Sequence, residues 1–273
     1  MLDLSVIILQ KNEALHIKRC LEKLAPLEPR QIFVVDCFST DGSDKTAAEM
    51  GATVVYHEWP GNQAAQFNWA LDNLPIEGEW ILRLDADEYL YPGTIAEIKN
   101  LLPKWDGKRV TDGALASDVS SLSLSLSRHI FGGDIRYGNP EIELVRIFKK
   151  GFGRSTFAEM DEHILTSVGQ NLKLKGKFVD DSLLPFEEWQ EKHRGYAKRE
   201  AKMAIEGRAN KNKRLYYKLP PYFRAVVYFC IRYFLKGGFL DGRVGWRWHF
   251  WQGLWYRCIV DREIGKMKRT CSL

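Results

Sequence analysis

The stretch that decides the fold is Trp80-Ile-Leu-Arg-Leu-Asp85-Ala-Asp87-Glu88, in which an apolar strand runs directly into three carboxylates. Side chains alternate between the two faces of a strand, so we predict that Asp85 and Asp87 share one face. Carboxylate oxygens suit Mg²⁺ or Mn²⁺, and both ions commonly bridge to substrate phosphates. A solvated turn has the same composition, so the rest of the chain must decide between a metal site and a turn.

Three apolar runs precede this strand, at residues 4–9, 32–35 and 53–56, and a segment with helical spacing follows each. Asn12 lies where the N-cap of the first helix is expected. Fully apolar strands that alternate with helices are typical of a parallel sheet covered on both faces. Ligands of such sheets bind beyond the carboxyl ends of the strands, where Asn12, Asp36 and Asp85 fall.

The pattern changes in the second half of the chain. Strict Leu and Ser alternation over residues 122–127 predicts a half-buried strand, and residues 143–148 predict another. The pattern of residues 187–213 predicts a charged helix. In the apolar, aromatic segment 218–236, four basic residues fall within about a third of a helical wheel. They are Lys218, Arg224, Arg232 and Lys236.

Composition indicates a globular protein, with 273 residues of which 45% are hydrophobic and 27% charged. Five scattered cysteines fit neither a disulfide framework nor a zinc site, so we expect reduced thiols. The first residues lack a basic leader and a long apolar run, so no secretory signal is predicted and a cytoplasmic location is expected.

Charge is distributed unevenly along the chain. From Trp189 onward there are 20 Lys and Arg against 6 Asp and Glu, a net charge of +14, whereas the preceding residues sum to −9. This segment also holds many aromatic residues, which suits either a buried helix or a helix lying on an anionic membrane surface. The acidic first part and the lack of a nucleic-acid motif argue against nucleic acid as a partner.

Five motifs occur in a fixed order along the chain. They are Asn12-Glu13, Asp36-Cys37-Phe38-Ser39-Thr-Asp41-Gly-Ser43, Gln63-x-x-Gln66-x-Asn68, Asp85-Ala-Asp87-Glu88 and Asp161-Glu162-His163. In this order they resemble the family 2 glycosyltransferases of the GT-A fold, and among them the lipopolysaccharide-core glucosyltransferase-like branch. The resemblance is strongest over residues 2–90. One departure is Cys37-Phe38, which stands where the family commonly has Asp-Gly.

The resemblance implies a role for each matching residue. Glu13 and Asp36 would hold the base and ribose of a nucleotide donor, with Asp41 supporting their loop. Either Gln63 or Asn68 would lie near the donor. A donor carrying uridine is favoured only by analogy with the family.

Asp85 and Asp87 resemble the Asp-x-Asp motif that binds Mn²⁺ or Mg²⁺ through the donor diphosphate, Asp87 being the more direct ligand. The segment around Asp161 resembles the part of the family that supplies the catalytic base. Glu162 ranks slightly above Asp161 for this role, and Glu159 ranks third.

We therefore predict a GT-A catalytic domain over residues 1–186, with a nucleotide-binding half (1–102) and an acceptor half (103–186). Its Rossmann-like, mostly parallel sheet would be flanked by helices, and residues 187–273 would form a helical, amphipathic extension. The expected activity is inverting, metal-dependent transfer of a sugar from a nucleotide-sugar donor to a glycan or lipid-linked acceptor in cell-envelope polysaccharide synthesis. The expected location is the cytoplasmic face of the inner membrane, as a peripheral protein.

Two other functions remain open at this point. A sugar nucleotidyltransferase uses a related sheet, but the chain has no Gly-rich, Lys- or Arg-containing phosphate loop after its first strand. A non-catalytic protein that binds membranes or nucleic acid would account for the basic, aromatic second region but not for the ordered acidic motifs.

Overall fold

The computed structural model describes residues 1–102, 119–139, 141–156, 163–207 and 216–270. The chain divides into two units. Unit 1 comprises Met1–Ser127 and Glu141–Leu183, and unit 2 comprises Arg128–Pro140 and Leu184–Leu273. The predicted boundary between residues 186 and 187, and the division of the first region at residue 102, stay predictions.

Most of the strands belong to unit 1, whose core is one large sheet; β7 and the last residues of β6 fall in unit 2. In chain order the strands are β1 Leu2–Gln10, β2 Pro29–Asp36, β3 Thr53–Tyr56, β4 Trp80–Asp85, β5 Glu88–Leu90, β6 Val119–Ile130, β7 Gly133–Ile135, β8 Glu143–Lys149, β9 Gly153–Ser155, β10 Ile164–Thr166 and β11 Gln170–Asp181. The order across the sheet is β3-β2-β1-β4-β8-β6-β11-β5. The strands from β3 to β4 are parallel, and β8 joins β4 in the antiparallel sense.

Strand β1 lies inside the sheet, and its side chains alternate between two hydrophobic clusters. Val6 and Ile8 pack on the face covered by the helices α1 (Ile17–Leu24), α2 (Ser43–Glu49) and α4 (Pro92–Leu101). Ile7 and Leu9 pack on the other face, where Phe67 of helix α3 (Gln63–Asn73) covers them. Because each face is covered, β1 can be apolar along nearly its whole length, as parallel sheets require. The predicted α/β fold class is confirmed.

Strand β6 differs from its prediction. Residues 122–127 were expected to be half-buried, but Ser123 and Ser125 are buried as well as Leu122 and Leu124, and only Leu126 and Ser127 are partly exposed. The hydroxyl of Ser121 donates to the amide oxygen of Asn171 at 3.1 Å, and that of Ser125 donates to Glu141 at 2.7 Å. A buried hydroxyl is tolerated when it has a hydrogen-bond partner, and these partners lie on other strands or loops.

Unit 2 is mostly helical among its described residues. It contains α5 Phe186–Ile205, α6 Phe223–Cys230, a π-helical turn Ile231–Leu235, a 3₁₀ turn Gly238–Asp241, α7 Gly242–Trp248, a second π-helical turn His249–Trp255, and α8 Tyr256–Thr270. Strand β7 pairs with the last residues of β6, Arg128 opposite Ile135. The charged helix predicted over 187–213 corresponds to α5, which ends at Ile205; residues 208–215 lie outside the described ranges.

Small and aliphatic side chains hold α5 and α8 together. Ala197 and Ala201 of α5 are fully buried against Ile259, Val260 and Ile264 of α8. The mutual burial of apolar side chains is the main force that keeps two such helices in contact. Within the described part of the chain, no helix combines the length and apolarity needed to cross a membrane.

Candidate active site

The carboxyl ends of three parallel strands meet at one edge of the sheet in unit 1. Gln10, the last residue of β1, lies opposite Asp36, the last residue of β2. On the other side of β1, Leu9 lies opposite Asp85, the last residue of β4. Adjacent strands are about 4.8 Å apart, so Asp36 and Asp85 flank the end of β1 at close range.

Asp36 is fully buried and both of its carboxylate oxygens accept hydrogen bonds. The side chain of Gln10 donates to Oδ2 at 2.7 Å, and the backbone N–H of Ser39 donates to Oδ1 at 2.7 Å. A buried carboxylate is stable when it receives such bonds. Asp36 therefore shapes the loop after β2, and its predicted contact with a donor nucleotide stays a prediction.

Asn12 joins the loop after β1 to the loop after β2. Its backbone N–H donates to the hydroxyl of Ser39 at 2.8 Å, and its side-chain oxygen accepts the backbone N–H of Thr40 at 2.9 Å. The expectation that Asn12 caps the first helix is wrong, because α1 begins at Ile17 and His16 occupies the N-cap. Asn12 instead has a φ of 56°, a left-handed conformation that asparagine tolerates better than most residues.

Asp41 supports the same pair of loops, as predicted. One carboxylate oxygen accepts the backbone N–H of Ala14 at 2.8 Å, and the other accepts the hydroxyl of Ser43 at 2.6 Å. Partial burial pushes the pKa of Asp41 upward, but the hydrogen bonds from Ser43 and the backbone outweigh it, so the pKa lies below its ordinary value. The ionised carboxylate thus ties together the loops that border the strand ends.

Glu13 has a partner inside unit 1. The backbone N–H of Leu183 donates to Nε2 of His16 at 2.8 Å, which leaves the proton of a neutral imidazole on Nδ1. That Nδ1 lies 2.6 Å from a carboxylate oxygen of Glu13. His16 therefore fixes one oxygen of Glu13, and the role of Glu13 toward a ribose stays a prediction.

Phe38 stands at the position where the sequence departs from the family pattern. Its φ is 56°, an unusual value for a bulky residue, and its side chain is more than half exposed. The ring stacks on that of Tyr56 with centroids 5.6 Å apart, and the Tyr56 hydroxyl donates to Asp44 at 2.8 Å. An exposed aromatic pair is therefore held beside the end of β2.

Of the two amides predicted near the donor, Asn68 has a structural contact and Gln63 is exposed. The Asn68 side chain donates to the carbonyl of Ser155 and accepts its N–H, both at 2.9 Å. The prediction did not choose Gln66, which is buried and donates to the sulfur of Cys37 at 3.2 Å. Gln66 also lies 2.6 Å from Nδ1 of His57. The sequence signal that could have identified Gln66 was its place in the motif Gln63-x-x-Gln66-x-Asn68.

Residues 84–88 alternate in burial. Leu84, Ala86 and Glu88 are buried, whereas Asp85 and Asp87 are partly exposed. That the two aspartates share one side stays a prediction. Strand β4 ends at Asp85, and Asp87 follows in the turn before β5. This turn presents both carboxylates at the edge where β1 and β2 also end.

Glu88 is the buried member of the acidic cluster. Its carboxylate accepts the guanidinium of Arg146 at 2.5 Å and the backbone N–H of Asp85 at 3.0 Å. Arg146, which is itself buried in strand β8, is thus the partner of this buried acid. Burial raises the pKa of Glu88 above its ordinary value; Arg146 opposes the rise, and Asp85 and Asp87 add to it.

The other two carboxylates of this acidic run, those of Asp85 and Asp87, suit a divalent cation. Oδ1 of Asp85 is buried and has no hydrogen-bond partner among the described residues; the nearest cation, the guanidinium of Arg83, is 3.8 Å away. Asp85 and Asp87 offer hard oxygen ligands two positions apart in the chain. The described residues contain no cluster of three or more His, Cys, Asp or Glu suited to a metal. Mg²⁺ commonly uses one or two carboxylates and takes its other ligands from water and phosphate, so two aspartates suffice.

The three acids predicted as catalytic bases, Glu159, Asp161 and Glu162, lie outside the described residues. The residues that border their segment are described. Strand β9 pairs with β10 in the antiparallel sense, Ser155 opposite Ile164. The hydroxyl of Ser155 lies 3.3 Å from the guanidinium of Arg83, the same group that approaches Asp85. Arg83 therefore connects the start of this segment to the turn that carries Asp85 and Asp87, which we call the acidic turn.

Comparison with known proteins adds a family and several relatives. A family model described as glycosyl transferase family 2 matches residues 5–145, about half of the chain. A TPR repeat-containing protein of Synechococcus elongatus is 28% identical over 147 residues, which are 53% of this chain and 36% of that protein. An uncharacterized glycosyltransferase of Rickettsia felis is 36% identical over 87 residues, 32% of this chain and 29% of its own length. The chain thus spans about a third of the length of these relatives.

Two solved structures are similar at lower levels of identity. The crystal structure of S. aureus TarS 1-349 aligns over 71% of this chain and 64% of its own, with a TM-score of 0.40 and 17% identity. Glucosyl-3-phosphoglycerate synthase from Mycobacterium tuberculosis, in complex with Mn²⁺ and UDP-glucose, aligns over 46% of this chain and 43% of its own, with a TM-score of 0.35 and 18% identity.

Proposed function

This chain belongs to glycosyltransferase family 2, and on that premise we propose an inverting, metal-dependent transfer of a sugar from a UDP-sugar. The acceptor we propose is a glycan or a lipid-linked sugar of cell-envelope polysaccharide or lipopolysaccharide synthesis. Family membership and the mixed, helix-flanked sheet also confirm the predicted GT-A fold. The chain is thus a glycosyltransferase, and the donor, acceptor and envelope role form the proposal.

The single observation that carries the proposal is the position of the acidic turn. The chain runs from β1 outward to β2 and β3 and then returns to β4 on the opposite side of β1. Ligands of open α/β sheets bind outside the carboxyl ends of the strands at such a reversal. Asp85 and Asp87 lie at this point, next to the loops that Asp41 holds together.

Asp85 and Asp87 would hold Mn²⁺ or Mg²⁺ in this proposal. When bound, the ion would offset the charge that grows on the diphosphate leaving group. Glu88 supports the turn because its carboxylate accepts the backbone N–H of Asp85 at 3.0 Å. Arg83 lies 3.8 Å from Oδ1 of Asp85 and lessens the repulsion between the neighbouring carboxylates.

A carboxylate from the segment 157–162 would take the proton of the acceptor hydroxyl as it attacks the anomeric carbon. Glu162 is the first candidate, followed by Asp161 and Glu159. A single displacement inverts the anomeric configuration and needs no second nucleophile. The contact between Arg83 and Ser155 supports this assignment, since it joins the residue two positions before the segment to the acidic turn.

We further propose that the protein works as a peripheral protein at the cytoplasmic face of the inner membrane. The net charge of +14 from Trp189 onward supports attraction to an anionic lipid surface. Such a location would suit an acceptor that is anchored in the lipid.

The test of the metal site uses two matched carboxylate substitutions. Asp87→Asn should abolish Mn²⁺-dependent transfer or hydrolysis of a UDP-sugar, and it should remove the rise in melting temperature that UDP with Mn²⁺ produces. Asp3→Asn is the control, because Asp3 is an exposed acid near the opposite, amino-terminal end of β1. Unchanged turnover in Asp87→Asn would contradict the proposal.

The catalytic base is tested separately from donor binding. Glu162→Gln, Asp161→Asn and Glu159→Gln are compared one at a time. The true base should lose sugar transfer by at least about 100-fold while the melting-temperature rise with UDP and Mn²⁺ persists, since general base catalysis contributes that much. If all three variants retain transfer, the base is not in this segment.

A further inference from the structure

Of the two alternatives for the basic, aromatic segment, a helix with its arginines at anionic headgroups does not match the helix α6 and the π-helical turn after it. Arg224 and Arg232 are only 4% and 6% exposed. Phe223, Phe234 and Leu235 are 58%, 56% and 81% exposed. The arginines thus face the interior of unit 2, and large apolar side chains face outward.

Specific partners hold the two arginines inside. The guanidinium of Arg224 donates from Nε to the carboxylate of Asp261 at 2.8 Å and from NH1 to the carbonyl of Tyr217 at 2.9 Å. Arg232 donates to the carbonyl of Gly138 at 2.9 Å. Breaking a buried ion pair leaves an uncompensated charge, so these bonds fix the rotation of the helix about its axis. Its outward apolar side is therefore a stable property of unit 2.

We name six outward residues the apolar face. They are Phe223, Val226, Phe234, Leu235, Phe239 and Leu240, and all are exposed. The ring of Tyr233 lies 5.0 Å from that of Phe234 and 6.3 Å from that of Phe239, so these two side chains belong to one surface. Trp246, also exposed, lies 5.5 Å from the same ring.

The exposed charges of the segment that carries the apolar face, residues 216–250, all have one sign. Within residues 216–250 the exposed charged side chains are Lys218, Lys236, Arg243 and Arg247. The one acid of this segment, Asp241, is half-buried and accepts the backbone N–H groups of Arg136 and Tyr137 at 3.0 Å. A segment that exposes large apolar side chains together with cations is complementary to the anionic headgroups and apolar interior of a lipid bilayer.

A second copy of the chain fits this face less well. In a symmetric dimer the same patch occurs on both partners, so the cations at its rim would meet cations. Exposed acids to pair with them are lacking within residues 216–250. Charge complementarity therefore favours a bilayer over self-association.

We propose that the apolar face inserts into the interfacial layer of an anionic membrane, with Lys218, Lys236 and Arg243 at the headgroups. This inference deepens the proposed function by identifying the surface that would bring the enzyme to a lipid-linked acceptor. The buried arginines do not contact lipid; they hold the apolar residues outward. Attachment of this kind combines apolar burial with electrostatic attraction.

The test measures binding to sedimented vesicles of phosphatidylethanolamine and phosphatidylglycerol. Phe234→Ser/Leu235→Ser should weaken the partition coefficient by about tenfold or more, because two exposed apolar side chains no longer leave water. The matched control is Leu165→Ser/Val168→Ser, which changes two exposed apolar residues of unit 1 and should bind as the parent does. Lys236→Glu/Arg243→Glu should weaken binding to these vesicles much more than to vesicles of phosphatidylcholine.

Insertion is read independently with brominated lipids, which quench nearby tryptophans. Quenching should fall in Trp246→Phe, since Trp246 is exposed beside the apolar face. Equal vesicle binding by Phe234→Ser/Leu235→Ser and the parent would overturn the inference. The inference would also be overturned if the parent protein did not bind vesicles but formed a dimer, and Phe234→Ser/Leu235→Ser abolished that dimer. If the protein binds vesicles but shows no sugar transfer, the proposed function is contradicted and the membrane-binding inference stands.

Discussion

Gln10 donates a 2.7 Å hydrogen bond to the buried carboxylate of Asp36, and the two residues end neighbouring parallel strands. The bond links β1 to β2 at the edge where the acidic turn lies. It also supplies one of the two donors that Asp36 uses, the other being the N–H of Ser39. The loop after β2 therefore depends on a side chain of β1.

Gln10→Leu should lower the free energy of unfolding by about 2 kcal/mol, because it leaves a buried carboxylate short of one donor. Urea denaturation followed by tryptophan fluorescence measures the loss. Gln63→Leu, at an exposed glutamine, is the control and should change stability by less than about 0.5 kcal/mol. Equal stabilities for Gln10→Leu and the parent protein would show that Asp36 does not need this donor.

Arg146→Met should lower the free energy of unfolding by about 3 kcal/mol, since Glu88 then loses its buried partner. Adding Glu88→Gln should restore part of the loss, because an amide carries no charge and still accepts the N–H of Asp85. Chemical denaturation of the single and double variants gives the coupling. Strictly additive effects would mean that the pair does not interact.

Phe38→Gly should be more stable than Phe38→Ala by about 1 kcal/mol. Both variants lose the ring that stacks on Tyr56, but only glycine adopts a φ of 56° without strain. Thermal unfolding of the two variants side by side isolates the backbone contribution, because the lost contact is the same. If alanine proves equal or better, the left-handed conformation is not present at this residue.

The stability of unit 2 should fall as the pH drops from about 6.5 to 4. Burial, with Arg232 nearby, lowers the pKa of His249 to about 4, and the backbone of Tyr137 opposes this only in part. Because the folded pKa lies below the unfolded value of about 6.5, protonation favours the unfolded chain, by up to about 3 kcal/mol. Above pH 6.5 the neutral His249 side chain makes its full contribution to stability. Denaturation curves at several pH values measure the slope.

His249→Leu supplies the comparison for this pH effect, since leucine cannot take up a proton. The variant should have a flatter dependence between pH 6.5 and 4, whatever its absolute stability. Exposed histidines contribute equally to both proteins and cancel. Parallel curves for the two proteins would assign the pH dependence to other groups.

The strands of the parallel region could be predicted because local patterns determine them. Residues 53–56 were predicted as a strand and match β3, and the strand predicted to end in the acidic run is β4, Trp80–Asp85. Each is a short apolar run that ends at polar residues. The alternation in burial that leaves Asp85 and Asp87 partly exposed is also local, and it persists through the turn.

Features that depend on distant partners could not be predicted. The inward direction of Arg224 is set by Asp261, 37 positions later, and a helical wheel holds no information about that partner. Asn12 was read as a helix cap because its real contacts, with Ser39 and Thr40, come from the next loop. Local periodicity describes one element at a time, whereas these bonds depend on which elements meet.

The contacts of Ser155 have a practical consequence for engineering acceptor preference. Asn68 and Arg83 fix this residue from the side of the donor-binding half, and Ile164 pairs with it across the hairpin. The anchors therefore lie outside the six residues between Thr156 and His163. Libraries confined to Phe157, Ala158 and Met160 would keep the three candidate bases and the anchors on either side while they vary the rest of the segment.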